Sequence, residues 1–402
     1  MTYRQARKAF GIRGLPDCLA PYYEEAPAQP VMDRAWLAEQ LARYGVTGTN
    51  AEALVSALDA LERNEPLAAF TNFIIAQMCV RHIRLDPEYV DLRSCRALPE
   101  SARAFYPLLV MLGCVVPAEE ACRRRGIADA AFRPTVEHML RAVLGRYART
   151  GKPRVNFEWE SGFMTCALLR FGRFYFAPHR YDEPITILKN RRTGAVTALL
   201  PDEDNVVIRA SDGQYDGIAG WHDPDTFRAC RSDTDTAYIG HPIDPAGIGL
   251  PTAAEFPKCD WEQTVQEGDA FLALHIPGGE GYDPEHLRES ASAAVAFYDR
   301  YFPELSIRGI WSESWLYDPH LRAVLPPDSK ILRMQRQMYC MPFPDGEPTI
   351  HGELIPHTPP TALERAVTAY EAAGGTFSTN FMFILREDIL RIGMTERLYG
   401  TE

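Results

Sequence analysis

Residues 269–314, DAFLALHIPGGEGYDPEHLRESASAAVAFYDRYFPELSIRGIWSES, read as a strand, a loop, a helix and a second strand, and no other stretch constrains the fold as much. Residues 269–276 form a short, nearly continuous apolar run, the mark of a strand covered on both faces. Pro277 stops it. Gly278, Gly279 and Gly281 make a loop where backbone can come close to a ligand. Asp283 is placed to cap a helix, and Pro284 falls at the first helical position, where its missing N–H costs nothing. Leu287, Ala291, Ala294, Val295 and Tyr298 then recur at helical spacing, Pro303 ends the helix, and residues 306–311 supply the second strand. Strand, crossover helix and strand predict two parallel neighbours joined in the right-handed sense.

Ligands in sheets of this kind bind beyond the carboxyl ends of the strands. Two segments meet there: His275 to Gly281, and Ser312, Glu313, Ser314 and Trp315. Loop amides and a helix N-terminus together make a natural anion site. The plainer alternative is an ordinary tight strand-to-helix turn.

Upstream, residues 1–150 read as an all-α bundle. After a proline-rich lead-in (residues 21–30), Asp33 and Asn50 each cap a helix, Pro66 opens a strongly apolar one, and residues 101–112 and 135–149 add two more. His82 and His138 lie in these helices without a visible acidic or cysteine partner, which favours structural or surface roles. Thr150-Gly151-Lys152-Pro153 is a helix stop followed by a linker-like turn, so the boundary is placed there, giving domains 1–150 and 151–402.

The pattern then switches to strands. Val155, Phe157 and Trp159 alternate with polar positions; residues 164–171 and 173–177 are strand-like runs joined at Gly172; residues 185–188 and 195–200 form a further hairpin. After Glu313, Asp318-Pro319 starts a short helix, residues 331–340 lean towards strand although Ile331, Met334, Gln335 and Met338 also fit a helix, 360–373 is a helix and 376–385 a last strand. The fold class is α+β.

The formal net charge of −12 argues against nucleic acid as a partner, since that binding needs a basic face. No apolar run is long enough to span a bilayer, and the first residues lack a signal-peptide core. Nine scattered cysteines without metal-ligand spacing suggest a reducing, cytoplasmic setting. Acidic residues between 202 and 235 fit no calcium loop, and His351, Glu353 and His357 lack a clear further ligand, so no metal is expected. His222 and His241 fall in predicted loops.

Three segments carry a resemblance: EGDAFLALHIPGGEGYDPEHLRESASAAVAFYDRYFPE, SESWLYDPHLRAVLPPDSKILRMQ and RRTGAVTALL with VVIRASDGQYDG. They resemble a bacterial family called acyltransferase domain-containing proteins, which pair a helical N-terminal domain with a C-terminal domain similar to the GNAT (N-acetyltransferase) fold. The resemblance spans most of residues 153–402 and implies a mixed sheet with flanking helices and extra hairpins. It places Phe271 to Ile276 on the central strand, Pro277 to Gly281 in the pyrophosphate loop and residues 306–311 on the next strand, splayed to admit the pantetheine, with Ile276, Pro277, Gly278, Gly279, Gly281, Ser312 and Ser314 as the residues expected to bind acyl-CoA. The usual loop of that fold is Gln/Arg-x-x-Gly-x-Gly/Ala; this chain lacks the leading Gln or Arg.

The implied activity is acyl-CoA-dependent N-acyl transfer to an amine on a small molecule or peptide. Such transfer needs a thioester held beside the nucleophile, N–H donors for the oxyanion and a base for the amine proton. Asp269, Phe271, Ala273 and His275 share one strand face, and Glu313 lies past the end of the second strand; either His275 or Glu313 can serve as base. Tyr317 or Tyr339 can return a proton to the thiolate. His275 can equally be a packed histidine and Glu313 a turn cap. Two other readings remain: a non-catalytic module of the same fold that binds a ligand or protein, and, more remotely, a serine hydrolase using Ser312 or Ser314, which lacks the Gly-x-Ser-x-Gly elbow.

Overall fold

Asp33 starts helix Arg34–Arg43 by accepting the N–H of Trp36 at 2.8 Å, as its position predicts. The next helix, Thr49–Glu62, begins one residue ahead of Asn50 because Gly48, at φ 66°, turns the chain into it. Helices Glu65–Arg81, Tyr106–Arg124 and Asp129–Thr150 follow, the second with Pro107 in its first turn. Gly113 lets two of them approach closely: a Cβ there would lie 2.3 Å from Ile75 Cδ1. Leu58, Phe70, Ile74, Leu109, Leu112, Val136 and Leu140 are buried in this region.

The computed structural model describes residues 1–23, 32–81, 91–150, 157–202, 206–344, 346, 350 and 359–400. The chain divides into two units, Met1–Arg170 and Phe171–Glu402. His82, Val155, His351, Glu353, His357 and most of the proline-rich lead-in lie outside the described residues. Among the described residues no helix is long and apolar enough to cross a membrane.

Two expectations near the end of the first unit need correction. The alternation at Phe157 and Trp159 belongs to a helix, Phe157–Met164, in which Trp159 meets Phe163 one turn on, ring centroids 5.6 Å apart. The strand expected over 164–171 is only Leu169–Phe171, because Cys166 takes a left-handed φ of 60° that breaks an extended run.

The second unit is organised by a six-stranded sheet, with strands β1 (Leu169–Phe171), β2 (Phe174–Arg180), β3 (Ala270–His275), β4 (Gly309–Ser314), β5 (Tyr339–Met341) and β6 (Asn380–Leu385). The division between the units falls within β1. The spatial order is β1-β2-β3-β4-β6-β5. β3 and β4 are parallel, joined by crossover helix Pro284–Tyr301, and each is antiparallel to its outer neighbour. The α+β class and the parallel pair are therefore as expected, but the second strand runs three residues later than 306–311, so Glu313 lies within β4 rather than past its end.

Register assigns the two faces. Phe176, Leu274, Leu272, Ile310, Ser312, Ser314, Met382 and Asn380 share the face under the crossover helix, whose Tyr298 hydroxyl reaches Phe176 O at 3.5 Å. Tyr175, His275, Ala273, Trp311, Glu313, Phe381 and Phe383 share the other. On that second face Tyr339 stacks on Phe383 and its hydroxyl joins the sheet to a hairpin layer, donating to Ile243 O and accepting from Ala198 N–H. The hairpin predicted at 185–200 is part of that layer, as Thr186–Asn190 and Val196–Leu199.

The strand favoured over 331–340 is mostly helix. Ser329 caps Lys330–Gln335 by accepting Leu332 N–H, one turn buries Leu332 and Met334, and only Tyr339–Met341 is extended. The last strand begins at Asn380 rather than 376, because Ser378 N–H is bound to Asp318 and Thr379 N–H to Gly346 O.

Candidate active site

The parallel ladder between β3 and β4 is only two residue pairs long, Leu272 with Ile310 and Ala273 with Trp311. Both strands continue beyond it, each paired on its outer side: His275 opposite Tyr175, and Ser314 opposite Asn380. The sheet therefore opens as a wedge at the carboxyl ends of its central strands. Ser312 bridges the start of the wedge by donating its hydroxyl to Leu274 O at 2.8 Å, and the Tyr317 hydroxyl donates to Ser312 Oγ at 2.9 Å.

The glycine loop closes over the same end. Gly278, Gly279 and Glu280 are exposed, Gly279 and Gly281 take φ of 108° and 84°, and a Cβ on Gly278 or Gly279 would meet nothing. Among the described residues the amides of Gly278 to Tyr282 donate no hydrogen bond. Asp283 caps the crossover helix through His286 N–H at 3.0 Å, so an anion at this end has the loop amides rather than that helical one. Arg173, from the β1–β2 turn, reaches under the loop. Its guanidinium donates to Pro277 O at 2.5 Å, Glu280 O at 2.5 Å and Gly279 O at 3.2 Å. A cation thus sits beneath the loop although the loop has no Arg or Gln at its start.

The sheet separates the residues singled out from sequence. His275 and Glu313 lie on one face, half-buried and exposed respectively; Ser312, Ser314 and Tyr317 lie on or against the other, all buried. The two sets meet only where the wedge opens. Tyr339 is remote in kind: fully buried, its hydroxyl engaged with two backbone groups, and its pKa raised by burial. Ile276 and Pro277 are half-buried at the base of the loop.

Two clusters frame the site. On the face with Glu313, His179 stacks on Trp311 at 6.0 Å, and Glu183 is raised to about 7 by burial, then by Asp182 and Glu313. His179, Asp182 and Glu183 bring one ligand atom each within 4.8 Å of the others, with Asp182 exposed; nothing further marks them as a metal centre. Beyond β4, Asp318 fixes the turn Trp315–Tyr317 in place. Its carboxylate accepts from Ser378 N–H and from His320 Nδ1, 2.8 Å away; His320 Nε2 in turn meets Asp212 at 3.1 Å. Asp212 also holds the buried Arg209, whose guanidinium lies 4.1 Å over the Trp221 ring. Burial would lower the pKa of His320, but the bonds to Asp212 and Asp318 win and raise it to about 9.

Sequence reasoning missed Arg173, Tyr282, Glu183 and Asn380. Asn380 left a signal, as the one polar residue of the run NFMFIL. Arg173 left none, because its loop partners are over a hundred positions away.

Residues 168–381, over half of the chain, match the family of the GNAT-like C-terminal domain. The chain belongs to this family. Residues 35–166 match the N-acyltransferase N-terminal domain, so the helical half and the sheet half of this GNAT-like protein each have their counterpart. Its fold is similar to that of an acyltransferase crystallised with decanoyl-CoA and teicoplanin, with a TM-score of 0.60 and 20% identity over 96% of this chain and 99% of that one. An acyltransferase in complex with decanoyl-CoA alone gives 0.58 and 18% over the same shares. No curated protein matches the chain. The resemblance read from the motifs thus holds for the GNAT-like family and its acyltransferase relatives.

Proposed function

We propose that this GNAT-like protein is an acyl-CoA-dependent N-acyltransferase that acts on an amine of a small molecule or peptide. The observation that carries the reading is the two-pair ladder: it leaves a wedge, with Leu274 O on one wall and Ser312 on the other, directly under an exposed glycine loop. The structural relatives were crystallised with acyl-CoA, one of them together with teicoplanin.

The residues divide the work. Amides of Gly278 to Tyr282, with the Arg173 charge behind them, suit the donor's diphosphate. The wedge suits its arm. The amine nitrogen attacks the thioester carbonyl carbon, the N–C bond forms and the C–S bond breaks. The amine proton goes to Glu313, which is exposed, or to His275, which is half-buried; both lie on the sheet face that carries Tyr175 and Trp311. The departing thiolate takes a proton from Tyr317, whose hydroxyl is already aligned on Ser312. Tyr339, held by two backbone groups, is left out of the acid role. Since acyl-CoA donors are intracellular, the reading carries a cytoplasmic location.

The test is calorimetric titration with acetyl-CoA, octanoyl-CoA and free CoA. Micromolar binding, about −8 kcal/mol, is expected. Gly279→Val, which puts a β-branched residue at φ 108°, should abolish it. No binding to any of the three sinks the reading; binding without release of CoA thiol across a panel of amines favours a binding module.

A further inference from the structure

Beside the helix Lys330–Gln335 lies a pocket of about 170 Å³, and no residue of the glycine loop or of β3 and β4 lines it. Arg322, Arg336 and Arg397 converge on it from three segments of the chain. None of the three forms an ion pair among the described residues, whereas Arg386 and Arg391 meet Asp299 and Asp388. Backbone holds two of them instead: Arg322 donates to Ala246 O at 2.9 Å and Arg336 to Pro327 O at 3.0 Å. A carbonyl orients a guanidinium without neutralising it.

These charges feel one another. Burial lowers the pKa of Arg322, and the charge of Arg397 lowers it further; Asp244 and Asp318 act the other way, but neither pairs with it. A fourth lining residue, Gln335, is 2% exposed. Its Nε2 donates to Leu316 O at 2.9 Å and to Asp318 O at 3.0 Å, which fixes the carboxamide, and its Oε1 has no hydrogen-bond partner among the described residues. A buried acceptor left unpaired costs its hydration. In a chain of net charge −12, three cations without a carboxylate and an unpaired acceptor around one cavity call for a ligand that brings anionic oxygens and a proton to donate.

We propose that this pocket binds a small phosphate monoester, at a site separate from the glycine loop. Guanidinium forks match the terminal oxygens of a phosphate, and a monoester brings about −1.5 to −2 of charge at neutral pH to meet the three arginines. A carboxylate brings one charge and no proton. A hydroxyl on the organic part of the ester donates to Gln335 Oε1. A cavity of about 150 Å³ holds a benzene molecule, so this one takes a phosphate group with a few carbons and not a nucleotide. The pocket stands whether or not the transferred group arrives on acyl-CoA.

The experiment titrates the full chain calorimetrically with three probes: glycerol 3-phosphate, sodium sulfate and CoA. Glycerol 3-phosphate should bind with a Kd of about 1 mM or tighter. Sulfate, with no proton for Gln335 Oε1, should bind about threefold more weakly or worse. Arg322→Met and Arg397→Met keep the apolar stems, and each should lose about tenfold or more in glycerol 3-phosphate affinity. The side chain of Arg397 makes no hydrogen bond among the described residues, so its variant serves if that of Arg322 does not fold. Both variants should keep the wild-type response to CoA, and CoA should not displace glycerol 3-phosphate. Absence of binding at about 10 mM glycerol 3-phosphate overturns the proposal, and so does wild-type affinity in both variants. Equal affinity for sulfate overturns the assignment to a monoester. Displacement by CoA, or loss of CoA affinity in both variants, gives these arginines to the donor site and overturns a separate pocket.

Discussion

The two ends of the β3–β4 pair are made of the same two strands and behave in opposite ways. At the amino end the strands are clamped. A Cβ on Gly309 would lie 2.2 Å from Ile384 O and 3.0 Å from the Phe271 ring; Arg308 N–H donates to Ala270 O, and the Arg308 guanidinium reaches Thr264 O. At the carboxyl end the ladder stops, serine replaces apolar side chains, and glycines face open space. Close packing fixes the first end, and exposed amides and buried serines mark the second. A sheet that opens at one end needs a tight closure at the other, and here the closure is a glycine with no room for a Cβ.

That contrast can be broken most severely at its closed end. Gly309→Ala should cost about 3 kcal/mol or more in urea denaturation, because backbone of β6 must move to make room. Gly278→Ala, at the open end, should cost less than about 0.5 kcal/mol. Equal losses would erase the distinction.

The turn that leaves the open end depends on a charged histidine. With a folded value of about 9 against an ordinary 6.5, protonated His320 adds stability that is fully present below pH 6.5, falls as pH rises, and is gone above about 9. The loss should be on the order of 2–3 kcal/mol. A His320→Gln variant should show a flatter stability profile over that range; an unchanged profile would remove the histidine from the clasp.

Next in size, Arg173→Met keeps the stem and deletes the grip on three loop carbonyls. CoA affinity should fall about tenfold, or about 1.4 kcal/mol, with a weaker dependence on salt. An unaltered affinity would make the loop self-supporting. The smallest effect is expected at the rim of the closed end, where Arg308 meets Asp269 at 3.7 Å with both side chains partly exposed. Asp269→Asn should change stability by about 0.5 kcal/mol or less. A larger loss would mean that charge, and not Gly309, holds this end.

Much of the arrangement was legible in residues 269–314, where capping, proline punctuation and apolar spacing all agree locally. The strand, the loop, Asp283 as cap and the crossover helix are each where the sequence puts them. Residues 331–340 were ambiguous because a six-residue helix carries too few turns for its period to stand out; Ser329 as cap decided it. Phe157 and Trp159 misled for the same reason. At the site, the serine and tyrosine near Leu274 could be found because Ser312 lies near the end of β4 and Tyr317 is in the turn that follows it. The contributions of Arg173, Glu183 and Asn380 depend on register and on chain crossings from distant segments, which no local pattern encodes.

The shortness of one ladder also has a mechanical meaning. On one side of it β1, β2 and β3 run as neighbours, on the other β4, β6 and β5, with every residue of β3 paired to β2 and every residue of β4 to β6. Among the described residues, two register pairs and the Arg308 N–H to Ala270 O bond are the backbone contacts that stitch these half-sheets together. The sheet is therefore a fabric with a seam: under load or in partial unfolding it tears between β3 and β4, and each half keeps its own weave.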